Sequence, residues 1–292
     1  MKQSEMKKLP IGNRQSKMNI VSRDNSLLRQ ARAVRDGKDP DMIFVEGLRL
    51  CEEALLSGLK IRAVIFSEEI ARKEKAAEIL NRLSLVCDRL GEVSETLLAS
   101  ISYTKTPQGM VLLADRPASG PSLLNAKHET VSLLVIMEAI SNPVNVGAIL
   151  RSAEAAGATG VITTDNTADP FSPKSLRGAM GSAFRIPIWS NVSYEAALSW
   201  CAQQKIRTVC ADLEATKRHT EIDWKVARAL ILGPESNGLS AEQVRMADEA
   251  VRIPMLGPVE SLNVGVAAGI LLYEAARQRG VVNEIAKDVQ TD

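Results

Sequence analysis

Five polar residues stand out because each lies in or beside a loop that ends a predicted apolar strand. They are Asn145, Arg151, Glu235, Ser261 and Asn263. A polar group in apolar surroundings costs free energy unless it is hydrogen-bonded, so these side chains require partners or a ligand. Glu235 directly follows a buried strand and is placed where its carboxylate could meet a cation or a ligand hydroxyl group.

The five residues belong to three loop segments, 138–157, 230–240 and 253–270. Ligands of open α/β sheets bind beyond the carboxyl ends of the strands, so three such loops predict one shared pocket. Gly233, Gly238 and Gly257 would allow backbone to approach a flat ligand. Any one of these loops is also explained as an ordinary turn, because Gly-Pro and Asn-Gly are common turn dipeptides. No G-x-G-x-x-G or G-x-x-x-x-G-K motif follows a strand, which disfavours a dinucleotide or a Walker-type nucleotide site.

The second half of the chain alternates strands with helices. The predicted strands are Val131–Met137, Val161–Thr164, Arg207–Ala211, Ala229–Leu232 and Ala250–Pro254, and the main helices are Val146–Ala156 and Leu262–Arg277. The last helix is apolar on all sides between Val264 and Leu272, which predicts burial in a core or against a second subunit.

The front half predicts a smaller, largely parallel α/β domain. Its strands are expected at Met42–Val45, Ile61–Phe66, Leu83–Cys87 and Met110–Ala114. The predicted domain organisation is a basic flexible tail (1–22), the small α/β domain (23–115), a linker (116–130), the larger α/β domain (131–282) and a C-terminal tail (283–292).

Charge and cysteine content restrict the function classes. The net charge is +1, but residues 1–38 carry ten basic and three acidic side chains. Such an excess is typical of a phosphate-contacting arm, and equally of a solvated tail. Four scattered cysteines without a C-x-x-C pair and only two histidines predict no metal cluster and suit a reducing cytoplasm. No signal peptide or transmembrane span is expected, because no apolar run reaches 18 residues.

The three loop segments resemble, in order, the three motifs of the SpoU–TrmH methyltransferases of the SPOUT superfamily. Asn145, Gly147 and Arg151 match the first motif, Gly233–Glu235 with Asn237–Leu239 the second, and Ser261–Val264 the third. Asp169–Lys174 through Arg177, Gly181 and Phe184 are also similar, and the resemblance covers residues 131–279. Gly265 and Ala179 stand where many members have Ser, and Asn142 where Asp is frequent, which could affect substrate choice.

The resemblance implies an α/β fold in which a C-terminal SPOUT parallel sheet with a deep trefoil knot follows a small α/β RNA-binding domain similar to a ribosomal protein. The matching pieces of that small domain are Phe44–Gly47 and Thr106–Gly109. It also implies a homodimer and S-adenosylmethionine as the cofactor. The cofactor-binding residues would be Leu232, Gly233, Glu235, Gly238, Ile253, Met255, Gly257, Leu262 and Asn263.

The implied reaction is methylation of an RNA ribose 2′-hydroxyl, with Arg151 as the key residue. A guanidinium has a pKa above about 12 and is a poor base, so we interpret Arg151 as a clamp on the target phosphate. Asn263 and Ser261 would hold the hydroxyl or the arginine, while Glu235 and Asn145 would order the pocket and the subunit interface. A surface ion pair of Arg151 with Glu154 or Glu138 is the structural alternative.

Ribosomal RNA is the expected substrate. The alternatives are transfer RNA, and a non-catalytic RNA-binding or ribosome-assembly factor built on the same fold.

Overall fold

The computed structural model describes residues 18–87, 89–125 and 131–280, which fall into two compact units that meet between Asp115 and Arg116. Most of the predicted N-terminal tail, part of the predicted linker and the whole C-terminal tail lie outside the described residues. Met18–Ile20 were predicted to be part of the tail, but they form a strand that pairs with Gly91–Val93. The structured part of the chain therefore begins earlier than predicted.

Unit 1 alternates short strands with helices. Its strands are β1 (Met18–Ile20), β2 (Met42–Glu46), β3 (Ile61–Ser67), β4 (Leu90–Val93) and β5 (Met110–Asp115), and its helices are α1 (Ser26–Arg35), α2 (Leu48–Leu56), α3 (Glu68–Ala71), α4 (Glu74–Leu83) and α5 (Glu95–Ile101). The strand order is β1-β4-β3-β5-β2.

The sheet of unit 1 is mixed, so the expectation of a largely parallel sheet is wrong. β1 and β3 are parallel to β4, but β5 runs antiparallel to both β2 and β3. The predicted strand Leu83–Cys87 is also wrong, since Leu83 ends α4 and the strand lies further on, at β4. Leu83 is fully buried on an amphipathic helix, so its apolar character came from a helical face.

Unit 2 contains the second set of strands and helices. Its strands are β6 (Leu133–Met137), β7 (Gly160–Thr164), β8 (Ile188–Val192), β9 (Arg207–Ala211), β10 (Lys217–Arg218), β11 (Arg228–Leu232) and β12 (Glu249–Arg252). Its helices are α6 (Pro121–Leu124), α7 (Pro143–Ala155), α8 (Pro173–Ala179), α9 (Ser182–Arg185), α10 (Tyr194–Gln203), α11 (Ala241–Met246) and α12 (Val264–Gln278).

The seven strands of unit 2 form one sheet in the order β10-β12-β9-β11-β6-β7-β8, and every strand pairing described in it is parallel. All residues of β6, β7 and β11 are buried, as expected for central parallel strands covered on both faces. The predicted parallel sheet of this half is therefore confirmed. The trefoil knot remains a prediction.

Part of the predicted linker belongs to the fold of unit 2. Pro121–Leu124 form α6, and Leu124 is buried in the apolar cluster that includes Ile162 and Tyr194. The Gly120-Pro121 pair lies at the start of this helix, with Pro121 in its first turn.

Helices α7 and α8 pack together through two glycines. A Cβ atom on Gly147 would lie 2.4 Å from the carbonyl oxygen of Ser175 and 2.8 Å from the Cα of Gly178. A Cβ atom on Gly178 would in turn lie 3.1 Å from the Cα of Gly147. Only glycine allows this approach, which fixes the spacing between the helix that carries Asn145 and Arg151 and the helix beside it.

We expect Gly147→Ala to destabilise unit 2 by about 1–3 kcal/mol, because the added methyl group meets backbone that cannot rotate away. All three tryptophans, Trp189, Trp200 and Trp224, lie in unit 2, so urea unfolding followed by tryptophan fluorescence measures this unit. Gly257→Ala is the matched control, since a Cβ atom there would contact nothing within 4 Å. Equal midpoints for the two variants would contradict the packing argument.

Candidate functional site

Two of the three loop segments follow neighbouring strands of the parallel sheet. β6 and β11 are paired in register, with Met137 opposite Leu232, so the loops that follow them leave the same edge side by side. β12 is parallel to β9, which pairs with β11, and the third loop leaves the same edge after Arg252. This is the carboxyl edge, where ligands of parallel sheets bind.

The Glu235 carboxylate connects the second loop to the first. It accepts hydrogen bonds from the backbone N–H groups of Ser141 and Asn142, each at 3.2 Å, and from the side-chain amide of Asn145 at 3.0 Å. Burial acts to raise the pKa of Glu235, but the hydrogen bonds from Asn145 and from the backbone N–H groups outweigh it, and the pKa lies below its ordinary value. Glu235 is therefore held as an anion.

Asn263 adds the third loop to this network. Its side-chain N–H donates to the side-chain oxygen (Oδ1) of Asn145 at 3.1 Å. Its own Oδ1 accepts from the N–H groups of Gly265 and Val266 and so caps the start of α12. Glu235, Asn145 and Asn263 thus form one hydrogen-bonded chain, which we call the Glu–Asn–Asn chain, across all three loops.

Two predicted catalytic residues, Ser261 and Arg151, lie outside this chain. Asn263 and Ser261 were expected to hold a substrate hydroxyl or the arginine. The side-chain oxygen of Asn263 is occupied by the cap of α12, which leaves one amide N–H of Asn263 for other partners. Ser261 is exposed and makes no hydrogen bond to a described residue. The position of Ser261 beside Asn263 is therefore the only structural support for its predicted role.

Arg151 lies six residues beyond Asn145 on α7, about 9 Å further along the helix axis. Its side chain is exposed and has no ion pair or hydrogen bond within the described parts of the chain. The alternative interpretation as a surface ion pair finds no support, because Glu154 pairs with Arg185 at 2.9 Å and Glu138 accepts from Gln243. Arg151 is thus available for an external anion.

The predicted cofactor loops combine a tight turn with uncovered apolar side chains. A Cβ atom on Gly233 would lie 2.8 Å from the Leu239 nitrogen, so the loop after β11 folds closely onto itself. Leu232 is buried, whereas Ile253, Met255 and Leu262 are half-buried and Gly238 and Gly257 are exposed. Apolar side chains left partly open beside backbone polar groups fit a ligand with a flat ring and polar substituents, such as S-adenosylmethionine.

Sequence reasoning missed one interaction that positions the second loop. Gln243 accepts from the Ser240 N–H in the capping box at the start of α11, and its amide also donates to the buried carboxylate of Glu138 at 2.9 Å. The other Glu138 oxygen is buried without a hydrogen-bond partner in the described chain. The available signal for this interaction was the position of Glu138 directly after a fully apolar strand. The sequence analysis names Glu138 only as an alternative ion-pair partner of Arg151.

The described residues offer neither a metal-binding cluster nor a membrane-spanning helix. Among residues 18–87, 89–125 and 131–280, no group of three or more His, Cys, Asp or Glu side chains could hold a metal ion. The helices of these segments include none long and apolar enough to cross a bilayer.

Fold and site geometry together define an α/β protein with a candidate ligand site at the carboxyl edge of a parallel sheet. Residues 132–273 match the SpoU rRNA Methylase family, and residues 27–112 match the MRM3-like substrate binding domain. The chain is also 32% identical to an uncharacterised tRNA/rRNA methyltransferase of Synechocystis, covering 89% of this chain and 94% of the relative. The chain therefore belongs to the SpoU rRNA methylase family.

Other relatives bear informative names. A 23S rRNA (guanosine(2553)-2′-O)-methyltransferase of Bacillus subtilis is 31% identical, covering 79% of this chain and 86% of the relative. The AdoMet-bound rRNA methyltransferase of Sinorhizobium meliloti superposes with a TM-score of 0.77 at 29% identity, covering 89% of this chain and 97% of that one. These similarities extend over both units.

A double-mutant cycle tests the Glu–Asn–Asn chain. Glu235→Ala and Asn145→Ala should each destabilise unit 2, and the double variant should lose about 1 kcal/mol less than the sum, because both single changes remove the hydrogen bond between these two side chains. Tryptophan fluorescence during urea unfolding gives the three values. Strict additivity would show that the two side chains are not coupled.

The pH dependence of the same difference has a defined sign. The folded pKa of Glu235 is lowered, so its contribution to stability is complete above the unfolded value of about 4.3 and is lost as the pH falls through the folded pKa. The stability difference between wild type and Glu235→Ala should therefore be constant near neutral pH and shrink in acid. A difference that grew below pH 4 would contradict this assignment.

Proposed function

We propose that this protein is an S-adenosylmethionine-dependent RNA methyltransferase that modifies a ribose 2′-hydroxyl in ribosomal RNA. Membership of the SpoU rRNA methylase family and the printed activities of relatives support the reaction class and the substrate. The observation on this chain that carries the proposal is the unpaired Arg151 on the helix that the Glu–Asn–Asn chain holds in place.

The cofactor, when bound, supplies an electrophilic methyl group on a sulfonium. The protein must then orient the hydroxyl in line with that methyl group and let its proton leave. Leu232, Gly233, Gly238, Ile253, Met255, Gly257 and Leu262 would hold the cofactor, with Glu235 and Asn263 shaping the loops around it.

Arg151 acts as a cation rather than as a base in this proposal. A guanidinium remains protonated in proteins, so it cannot accept the hydroxyl proton. It binds the target phosphate, orients the adjacent ribose and stabilises negative charge developing on the 2′-oxygen. The proton passes to the phosphate or to water.

Glu235, Asn145 and Asn263 are positioning residues. Glu235 fixes the N-terminus of α7 through two backbone N–H groups, while Asn263 fixes the N-terminus of α12. Arg151 is carried on α7, so its distance from the cofactor loops depends on these bonds.

Two alternatives remain testable. Transfer RNA is a second candidate substrate, since one relative is named a tRNA/rRNA methyltransferase. A non-catalytic RNA-binding or assembly factor is disfavoured, because Arg151 makes no ion pair or hydrogen bond within the described chain, so stability alone gives an inactive descendant no reason to keep it. We place the protein in the cytoplasm, in agreement with four buried cysteines that form no disulfide among the described residues.

A homodimer is part of the proposal. Val266, Ile270 and Tyr273 lie on one side of α12 with exposed fractions of 53%, 37% and 52%, and Val144 on α7 is exposed by 46%. This apolar stripe begins one turn from Asn263, at the N-terminus of α12. A second copy of the chain would cover it and place the partner beside the site.

Arg151→Ala should abolish methyl transfer while leaving cofactor affinity within about twofold, because the guanidinium contacts RNA rather than cofactor. Arg151→Lys should retain a small fraction of activity, since it keeps the charge but not the bidentate geometry. Transfer of labelled methyl groups to ribosomal RNA measures the first effect and calorimetry with S-adenosylmethionine the second. Parallel loss of cofactor binding and activity in a folded variant would refute this role of Arg151.

The dimer can be tested with two valine variants. Val266→Glu places a charge in the α12 stripe and should convert the dimer into monomers, as measured by light scattering. Val226→Glu is the matched control, because Val226 is 41% exposed in the same unit but lies before β11, at the other edge of the sheet. A wild-type protein that is an active monomer at micromolar concentration would exclude this assembly.

A further inference from the structure

Helices α7, α8 and α9 carry more unpaired positive charge than the net charge of the chain suggests. Between residues 143 and 185 the basic side chains are Arg151, Lys174, Arg177 and Arg185, and the acidic ones are Glu154, Asp165 and Asp169. Glu154 is bonded by Arg185, and Asp169 is bonded by Arg116 from the segment after unit 1, at 3.0 Å. Two of the three acids are therefore neutralised by arginines.

Three cations of this region have no such partner. Arg151, Lys174 and Arg177 are all exposed and make no ion pair or hydrogen bond with the rest of the described chain. Asp165, the remaining acid, follows β7 and precedes the loop that leads to α8. The surface of α7 and α8 thus presents three free positive charges.

The glycine contact places these charges on one surface. Gly147 touches the backbone of Ser175 and Gly178, and Arg151 lies one turn beyond Gly147 on the same side of α7. Lys174 and Arg177 are the residues before Ser175 and Gly178 on α8. Arg177 is in the last turn of α8.

We propose that Lys174 and Arg177 bind backbone phosphates of the RNA next to the nucleotide whose phosphate Arg151 holds. This inference rests on the proposed function and extends its substrate site from one phosphate to a short track. An RNA backbone is the ligand that fits, because it supplies several phosphates at regular spacing to several exposed cations, and a single small anion could not reach all three.

The experiment uses the full-length chain with Lys174→Ala, Arg177→Ala and the double variant. Filter binding of large-subunit ribosomal RNA from cells lacking the gene is measured across a salt series, beside methyl transfer to the same RNA. Each lost phosphate contact should reduce the slope of log affinity against log salt by roughly 0.7–0.9, so the double variant should lose about 1.5. Its Michaelis constant for RNA should rise about tenfold or more at moderate salt.

Lys225→Ala is the matched control. Lys225 is exposed in the same unit but precedes β11, at the amino edge of the sheet and away from the site. It should leave the salt slope unchanged. Calorimetry with S-adenosylmethionine should give wild-type affinity for every variant.

Two results would overturn the inference: salt slopes for the α8 variants equal to that of Lys225→Ala, or a loss of cofactor affinity that parallels the loss of RNA binding. The second result would assign the cations to the cofactor carboxylate. Binding and transfer are separate measurements. A wild type that binds RNA with a steep slope lost in the variants, yet transfers no methyl group, would refute the proposed function and support the phosphate track.

Discussion

The two carboxylate oxygens of Glu235 accept hydrogen bonds from Ser141, Asn142 and Asn145, so one side chain from the loop after β11 holds the N-terminal end of α7 against that loop. Backbone N–H groups at a helix N-terminus lack partners within the helix and favour a negative charge. The same contact therefore stabilises α7 and fixes a functional loop.

This coupling continues to α12 through Asn145 and Asn263. Because the Asn263 oxygen caps α12, the start of that helix is fixed by the same bonds that fix α7. Gly265 lies near Ala148, and a Cβ atom there would be 3.4 Å from the Ala148 Cβ, so the two helices also touch directly. Gly265 stands where many family members have Ser, and the residue at this position lies in the contact between the two helices.

Sequence periodicity and turn chemistry predicted much of this architecture. They failed for features that depend on contacts between distant parts of the chain. The buried strands β6 and β11 and the convergence of three loops followed from the apolar runs and turn residues of the sequence. The strand directions in unit 1 could not be predicted in this way, because the alternation of strands and helices does not specify that β5 runs antiparallel. The partners of Asn263 were equally hidden, since a loop asparagine can cap a helix or bind substrate with the same local sequence.

Net charge was the least informative quantity, and the structure shows why. A net charge of +1 counts every acidic and basic side chain alike, whether or not it lies close enough to an opposite charge to form an ion pair. Near the candidate site, Arg185 and Arg116 each bond one carboxylate, which removes negative charges that would otherwise compete for Arg151 with the proposed RNA phosphate. An ion pair at the surface stabilises a fold only slightly. Beside the proposed phosphate track, its larger effect is to leave Arg151, Lys174 and Arg177 as the dominant local charges, and such a field would steer a polyanion toward the site.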